Sequence, residues 1–515
     1  MLPKALLPFA MCLLLVAQDP IEHPPKPDRM GVTNTGRYDY GVMGPPATPA
    51  IVDAAVRAIT KPSSPGPFEP TWESLEKNYR APSWFEDAKF GIFMHWGVFS
   101  VAAHHNEWYE KHMYGADAQW HAEHFGPQEK VGYKDLIPKF SAAHWDPDAW
   151  AALFKKSGAR MVMEMGEHHD NFALWDSEVT PFNAKKMGPH RDLVGELAAA
   201  VRNQGMRVAI SNHGVENFTF VAPTHELRMR LETQHADLFD PAWANFYNVA
   251  DRSDAAQTRF LTDWVNRNFE LIDKYQPDML WWDNGANLRV LDPLKLRVAA
   301  YYYNRARQWG REVSLGTKFN CMAPSNDDTK QIGSIIDFEK VGPRSPVGIR
   351  PGPWMVDDTI GNSSWGYVEG LKISSAESII AKLIDTASKG GLYMLNISPM
   401  ADGTIPQNQQ EVLLKIGAWL DINGEAIYGT RPWKTFEDGA WHFTRKGDAL
   451  YAITTTWPTG EALIPSLAGA RVTKVFLVGD STPLVFTQDP QGLHVVTPGE
   501  HLPSAAWSLR IEGVQ

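Results

Sequence analysis

The sequence predicts an α/β protein: a (β/α)8-like TIM barrel followed by a C-terminal antiparallel β-sandwich. Three observations carry this. Between about residues 71 and 430, eight short apolar runs alternate with longer amphipathic stretches. Each run ends in polar or titratable residues. After residue 430 the long helical patterns stop, and only short alternating strands follow. At 515 residues the chain is long enough for a barrel plus a smaller module, each with its own core.

Taken in order, the chain opens with "MLPKALLPFAMCLLLVAQDP". Lys4 is a positive n-region, Ala5 to Ala17 is an apolar run too short to span a bilayer comfortably, and Leu15-Val16-Ala17 precedes a cleavable Gln18. The expectation is a signal peptide over residues 1–18 and an exported chain, periplasmic or secreted. An N-terminal membrane anchor is the alternative. Cys12 lies inside this segment, so its removal leaves only Cys321 and no internal disulfide. Residues 19–70 form an extension or linker rich in Pro and Gly, with one helical pattern at "AIVDAAVRAIT".

The barrel domain is expected over residues 71–430. Its candidate strands are "FGIFMHWG", "RMVMEMG", "RVAISNH", "DMLWWDNG", "VSLGTKF", "SIIDFEK", "GPWMVDD" and "GLYMLNISP". Several are almost continuously apolar, as strands buried on both faces must be. Of the helical patterns between them, "AAQTRFLTDWVNRNFELIDKYQP" is the clearest. Leu261, Trp264, Val265, Phe269 and Ile272 share one face, and the pattern stops before Pro277. "SAESIIAKLIDTASKGG" ends in glycines, as a helix C-terminus does. The third to fifth connections are uneven. Over residues 431–515, "AWHFTRKG", "ALYAITTTW", "KVFLVG", "LHVVTPG" and "AAWSLRIEG" read as strands of the sandwich.

Composition narrows the function. Hydrophobic residues make up 43% of the chain and the charges are mixed, which excludes a disordered protein. A formal net charge of −11 argues against nucleic acid as a partner. No membrane partner is expected once the signal is removed, and an oligomer is left open. Twenty tryptophans are more than a core needs, and indoles suit the apolar faces of sugars.

Working residues of such barrels sit at the C-terminal ends of the strands. The first run ends in His95, the second near His168, His169 and Asp170, the third in His213 and the fourth in Asp283. The fifth ends near Lys318 and Asn320, and the sixth in Asp337 and Glu339. The seventh carries Trp354, Asp357 and Asp358, and the eighth Asn396. Two carboxylates facing each other among histidines and tryptophans are the groups that glycoside hydrolysis needs. In a retaining enzyme one attacks the anomeric carbon and the other protonates the leaving oxygen, about 5–5.5 Å apart, against about 6.5–9.5 Å for inversion.

Several motifs then become recognisable. "WFEDAKFGIFMHWGVFSVAA" with "NEWY", "EHHDNFALWDSEVT" with "GPHRDLVGEL", and "YQPDMLWWDNG" resemble successive blocks of the α-L-fucosidases of glycoside hydrolase family 29. "IDFEKVGP", "PWMVDDTIGNSSWGY", "KGGLYMLNISPMADGTIP" and "IGAWLDINGEAIYGTRPW" continue the series in order, to about residue 435. The resemblance implies a retaining, exo-acting α-L-fucosidase with a catalytic barrel, acting on a fucosylated oligosaccharide or glycoconjugate. It implies Asp283 as nucleophile and Glu339 as acid/base. It places His95, Glu107, Trp108, His168, His169, Trp281 and Trp354 on the sugar. The chain departs from the common family pattern at Glu167 and Asn171, and at His213, which replaces a hydroxyl ligand. These departures motivate a second reading, a retaining glycosidase for another sugar such as an α-L-galactoside. A third is a catalytically silent glycan-binding protein.

No cofactor and no metal is expected. Adjacent residues on a strand point opposite ways, so His168 and His169 do not read as a chelate. "HAEH" spaces His121 and His124 as a helical chelate would, but a solvated or interfacial pair is preferred. Cys321 reads as a buried thiol, and Trp441, Trp457 and Trp507 as core of the C-terminal module.

Overall fold

The structure is a computed structural model. It describes residues 47–61, 63–318, 321–325, 330–342, 345–499 and 504–514. The expected signal peptide, Cys12, Asn320 and the first part of the N-terminal extension lie outside the described residues.

Eight parallel strands close into a barrel in sequential order. They are β1 (Phe90–Met94), β2 (Met161–Glu167), β3 (Arg207–Asn212), β4 (Met279–Trp282), β5 (Ser314–Lys318), β6 (Ile335–Glu339), β7 (Trp354–Thr359) and β8 (Leu392–Ile397). Closure sets Gly91 of β1 beside Met394 of β8. Nearly every strand residue is buried, because one pleat face fills the barrel and the other meets the outer helices. All eight apolar runs read from the sequence are strands here.

The helices form the outer layer. Asp254–Tyr275 is capped by Ser253, whose hydroxyl accepts from the amide of Ala256. It ends where Gln276 turns left-handed ahead of Pro277. Leu261, Trp264, Val265, Phe269 and Ile272 are all buried against the barrel. Each such side chain contributes about 1.5–3 kcal/mol. The uneven third connection carries several short helical turns before this helix.

The described part of the extension wraps the barrel rather than hanging from it. Helix Pro49–Ala58 buries Ile51, Val52 and Ala55. Lys61 forms an ion pair with Asp273. Asn304 on a barrel helix donates to the carbonyls of Ser64 and Phe68 and accepts from the Phe68 amide.

Past helix Gln407–Asn423 come two antiparallel sheets. The five-stranded one runs β13 (Lys474–Leu477), β16 (Trp507–Glu512), β11 (Ala449–Thr454), β10 (Trp441–Lys446), β9 (Arg431–Asp438). The three-stranded one runs β12 (Glu461–Ile464), β15 (Gly492–Val496), β14 (Phe486–Asp489). Phe443, Leu450, Ile464, Leu493 and Leu509 share one core between the sheets. Trp441 belongs to that core, and its indole donates to the Leu463 carbonyl at 3.1 Å. Three strands, β9, β12 and β14, were not foreseen. The module is tied to the barrel by Trp419 Nε1 on the Ala506 carbonyl and by Ser508 Oγ on Asn423. Among the described residues no helix is long and apolar enough to cross a membrane.

Candidate active site

The C-terminal ends of the strands ring a hollow of about 350 Å³, measured with its solvent-open mouth. The strand alternation decides what enters it. On β4, Trp282 faces the helix layer and donates to Asn268 at 2.8 Å, whereas Trp281 faces inward and donates to Asp337 at 2.8 Å. Asp283 follows as the strand ends, and the chain leaves through a turn with Gly285 at φ +68°. A Cβ there would come within 2.5 Å of Glu216, so the position takes glycine on both conformational and steric grounds.

Asp283 is buried and its two oxygens differ. Oδ2 lies 3.1 Å from His213 Nδ1 and 3.6 Å from His169 Nε2. Oδ1 accepts no hydrogen bond and has Lys318 Nζ at 3.7 Å. Burial works to raise the carboxyl, but Lys318, His213 and His169 outweigh it and hold Asp283 well below the usual carboxylate range. Lys318 also reaches Glu339 Oε2 at 3.3 Å and Asp357 Oδ2 at 3.2 Å. Oδ1 of Asp283 and Oε2 of Glu339 can therefore be no farther apart than the sum of their distances to that nitrogen, 7.0 Å. Glu339 is the more open of the pair, with its side chain 23% exposed against 10% for Asp283. Deeper down, burial pushes Asp337 up to about 7, and burial with the Asp337 charge raises Asp357 well above the usual carboxylate range.

The opposite wall is made of imidazoles. His95 Nδ1 is 2.7 Å from Asn396 Oδ1, and the Asn396 amide donates to the Trp365 carbonyl at 2.8 Å. His168, His169 and His213 complete that wall. Burial and the neighbouring imidazoles hold His95 and His168 well below the usual histidine value, and take His169 down to about 3. Both His168 and His169 reach the hollow. The strand alternation used to separate them does not apply, because β2 ends at Glu167 and the pair sits in the turn beyond it. Glu107 also lines the hollow. Its Oε2 accepts from the Trp365 amide at 2.8 Å and from Ser364 Oγ at 3.1 Å, while burial raises its carboxyl. Trp108 stands edge-on to His169, with ring centres 6.0 Å apart.

The expectation for Trp354 is corrected. It opens β7 and therefore lies on the N-terminal rim of the barrel, with its ring closed over Gly391 and edge-on to Phe338. Trp365, eleven residues on and past the end of β7, lines the hollow instead, its ring centre 5.2 Å from that of His95. Two of the three departures also fall away from the hollow. Glu167 accepts from Arg267 at 2.7 Å, and Asn171 bonds the same guanidinium. His213 alone of the three faces the hollow. Lys318 and Asp357 were noted as strand-end residues without a role, and both line it.

One residue was missed altogether. Glu216, in the turn after β3, is buried with Oε2 3.1 Å from His169 Nδ1. Burial, then the charge of Asp283, raises its carboxyl well above the usual range. The available signal was position: an acid a few residues past a barrel strand.

The remaining candidates are structural. His121 has both ring nitrogens bonded, to Tyr109 and to the Val131 carbonyl, and His124 stacks on Trp120. Cys321 is buried beside the Ala286 carbonyl, and burial pushes its thiol up to about 11.

The comparisons agree with this geometry. A family model described as alpha-L-fucosidase matches residues 55–425, and one described as the alpha-L-fucosidase C-terminal domain matches residues 434–512. The chain belongs to the α-L-fucosidase family. Like its relatives it is a glycoside hydrolase by family. The human tissue alpha-L-fucosidase is 30% identical over 92% of this chain and 99% of its own. The human plasma alpha-L-fucosidase is 32% identical over 81% of this chain and 85% of its own. Among solved structures, the Thermotoga maritima alpha-fucosidase in complex with a mechanism-based inhibitor superposes with a TM-score of 0.70 at 30% identity. It covers 86% of this chain and all of that one. The same enzyme in complex with fucose gives 0.69.

Proposed function

We propose that this fucosidase-family enzyme is exported and removes terminal α-L-fucosyl residues from glycans with retention of configuration. Asp283 Oδ1, the oxygen left free of hydrogen bonds, attacks the anomeric carbon as the glycosidic bond breaks. Glu339 gives its proton to the leaving oxygen. Water then attacks the same carbon, Glu339 takes the proton from it, and the Asp283 carboxylate is released. The observation that carries this reading is the Lys318 ammonium held between the two carboxylates. It keeps Asp283 ionised and bounds their separation at 7.0 Å, a limit that includes the spacing for retention and excludes most of the range for inversion. Lys318 stabilises negative charge on Asp283 more than neutral ester, so it favours release of the covalent intermediate.

Support for the sugar comes from the other wall. Neutral imidazoles of His95, His168 and His169 and the carboxyl of Glu107 suit ring hydroxyls. Trp108, Trp281 and Trp365 offer apolar surface to a C5 methyl and ring face. The reading as a different glycosidase now rests on His213 alone, and rates on nitrophenyl α-L-fucoside against the α-L-galactoside decide it. The deciding test of the mechanism follows the first product by NMR. The α-anomer is expected. A first-formed β-anomer refutes retention, as does failure of azide to give an inverted fucosyl azide with the Asp283→Gly variant.

A further inference from the structure

Three imidazoles on the wall opposite the carboxylates are arranged in a way that sugar binding does not require. The ring centres of His95, His168 and His213 are 5.5, 5.3 and 5.1 Å apart pairwise. One nitrogen or more from each lies within 4.8 Å of the others. Three imidazoles at tetrahedral angles around a zinc ion, with Zn–N of about 2.0–2.1 Å, have ring centres about 5 Å apart.

The hydrogen bonds at the back of the rings point the same way. The Asn396 amide nitrogen donates to a carbonyl, so its oxygen faces His95, which must carry its proton on Nδ1 and a lone pair on Nε2. His213 Nδ1 faces the Asp283 carboxylate, and its Nε2 is buried without a partner. The His168 ring has no hydrogen-bond partner at its buried Nδ1. His95 and His213 are thus held by an oxygen acceptor on the other nitrogen, as metal-binding histidines are. Beside them lies the Asp283 carboxylate, held ionised, which offers an added cation a negative neighbour.

We propose that His95, His168 and His213 form a cage for a divalent transition metal, zinc by its nitrogen set, and that the ion occupies the hollow in competition with sugar. The competition rests on the proposed function; the cage does not. Each of these nitrogens can serve a separate hydroxyl, whereas a single cation takes all three lone pairs at once. The third nitrogen comes from His213, the residue at which this chain departs from the common family pattern. The protein is thereby shut off by free zinc and reopened by a chelator.

The test uses the full chain without a histidine tag, stripped with chelator and dialysed against zinc. One zinc per chain is expected, with a tetrahedral visible spectrum when cobalt(II) replaces it, and mutual displacement of zinc and fucose. His168→Gln loses the ion, while its unfolding temperature reports that the fold is kept. Asn396→Ala, which frees the back of His95, weakens binding by about 10–100-fold. His112→Ala leaves it unchanged. This control removes the competing surface cluster of His105, His112 and Asp117. Stoichiometric binding that survives His168→Gln, or that vanishes with His112→Ala, overturns the cage, as does an absence of binding. Zinc and fucose bound together overturn the competition. Tetrahedral cobalt in a chain that binds no fucose supports the cage and counts against the sugar reading instead.

Discussion

The β4–β7 side of the hollow and its β1–β3 side use the same strand ends for opposite electrical purposes. On the first, the carboxyl groups of Asp283, Glu339 and Asp357 converge on Lys318 within 3.7 Å, so one ammonium serves several acids and keeps Asp283 ionised. On the second, His95, His168 and His169 are held neutral by burial, and burial raises the acid behind His169 as well. The difference teaches how one pocket keeps a carboxylate reactive beside groups that only bind. A carboxylate buried alone would take up a proton. Here one ammonium and the N–H faces of two imidazoles offset that cost. His95, His168 and His169 are lowered by burial, so they bind hydroxyls as neutral rings.

Removing the charged side at its centre has the largest effect. Asp283→Asn lowers kcat by about 10³-fold or more, because no covalent step remains; single-turnover rates measure it, and retained turnover removes Asp283 from the mechanism. Glu339→Ala loses about 10²-fold or more on natural glycosides and much less on nitrophenyl fucoside, whose leaving group needs no proton. If Glu107→Ala shows that leaving-group dependence instead, the acid/base assignment moves to Glu107, which burial also raises.

Lys318→Met sharpens the contrast through pH. Asp283 must be ionised to attack, and Lys318 holds it low against burial. Without the ammonium its pKa rises, so the acid limb of kcat/KM moves to higher pH. An unmoved limb means that His213 and His169 suffice. The tryptophans separate the mouth from the rim. Trp365→Ala raises KM with little change in stability. Trp354→Ala costs about 3–5 kcal/mol in denaturant unfolding and leaves KM alone. The smallest effect is expected at Glu216→Gln. Burial raises this carboxyl well above the usual range, and an uncharged amide of the same shape keeps the contact with His169, so kcat/KM should change only a few-fold. A large loss means that Glu216 works as an anion.

The barrel was legible because parallel strands buried on both faces leave long apolar runs, and such runs stand out in any window. The sheets after residue 430 were harder. β14 is four residues of mostly exposed side chains, and β12 alternates over only four. β9 is an edge strand whose Pro432 and charges mask its pattern. The site divided along the same lines. Asp283, Glu339 and His95 close recognisable runs at strand ends. Trp354 and Trp365 lie in one motif, and only the point at which β7 begins tells which of them reaches the mouth. His168 and His169 were separated by a strand rule that their turn does not obey.

The order of apolar runs and the acids that close them were settled by the one-dimensional pattern, because burial of a parallel strand demands apolar residues at nearly every position. Which side chains share the hollow was decided only by folding. Lys318, Trp365 and His213 come from segments far apart in the chain, and their roles depend on distances of a few ångströms that local sequence does not encode. The charge state of Asp283 is the clearest case, since it follows from an ammonium thirty-five residues away that barrel closure brings to 3.7 Å.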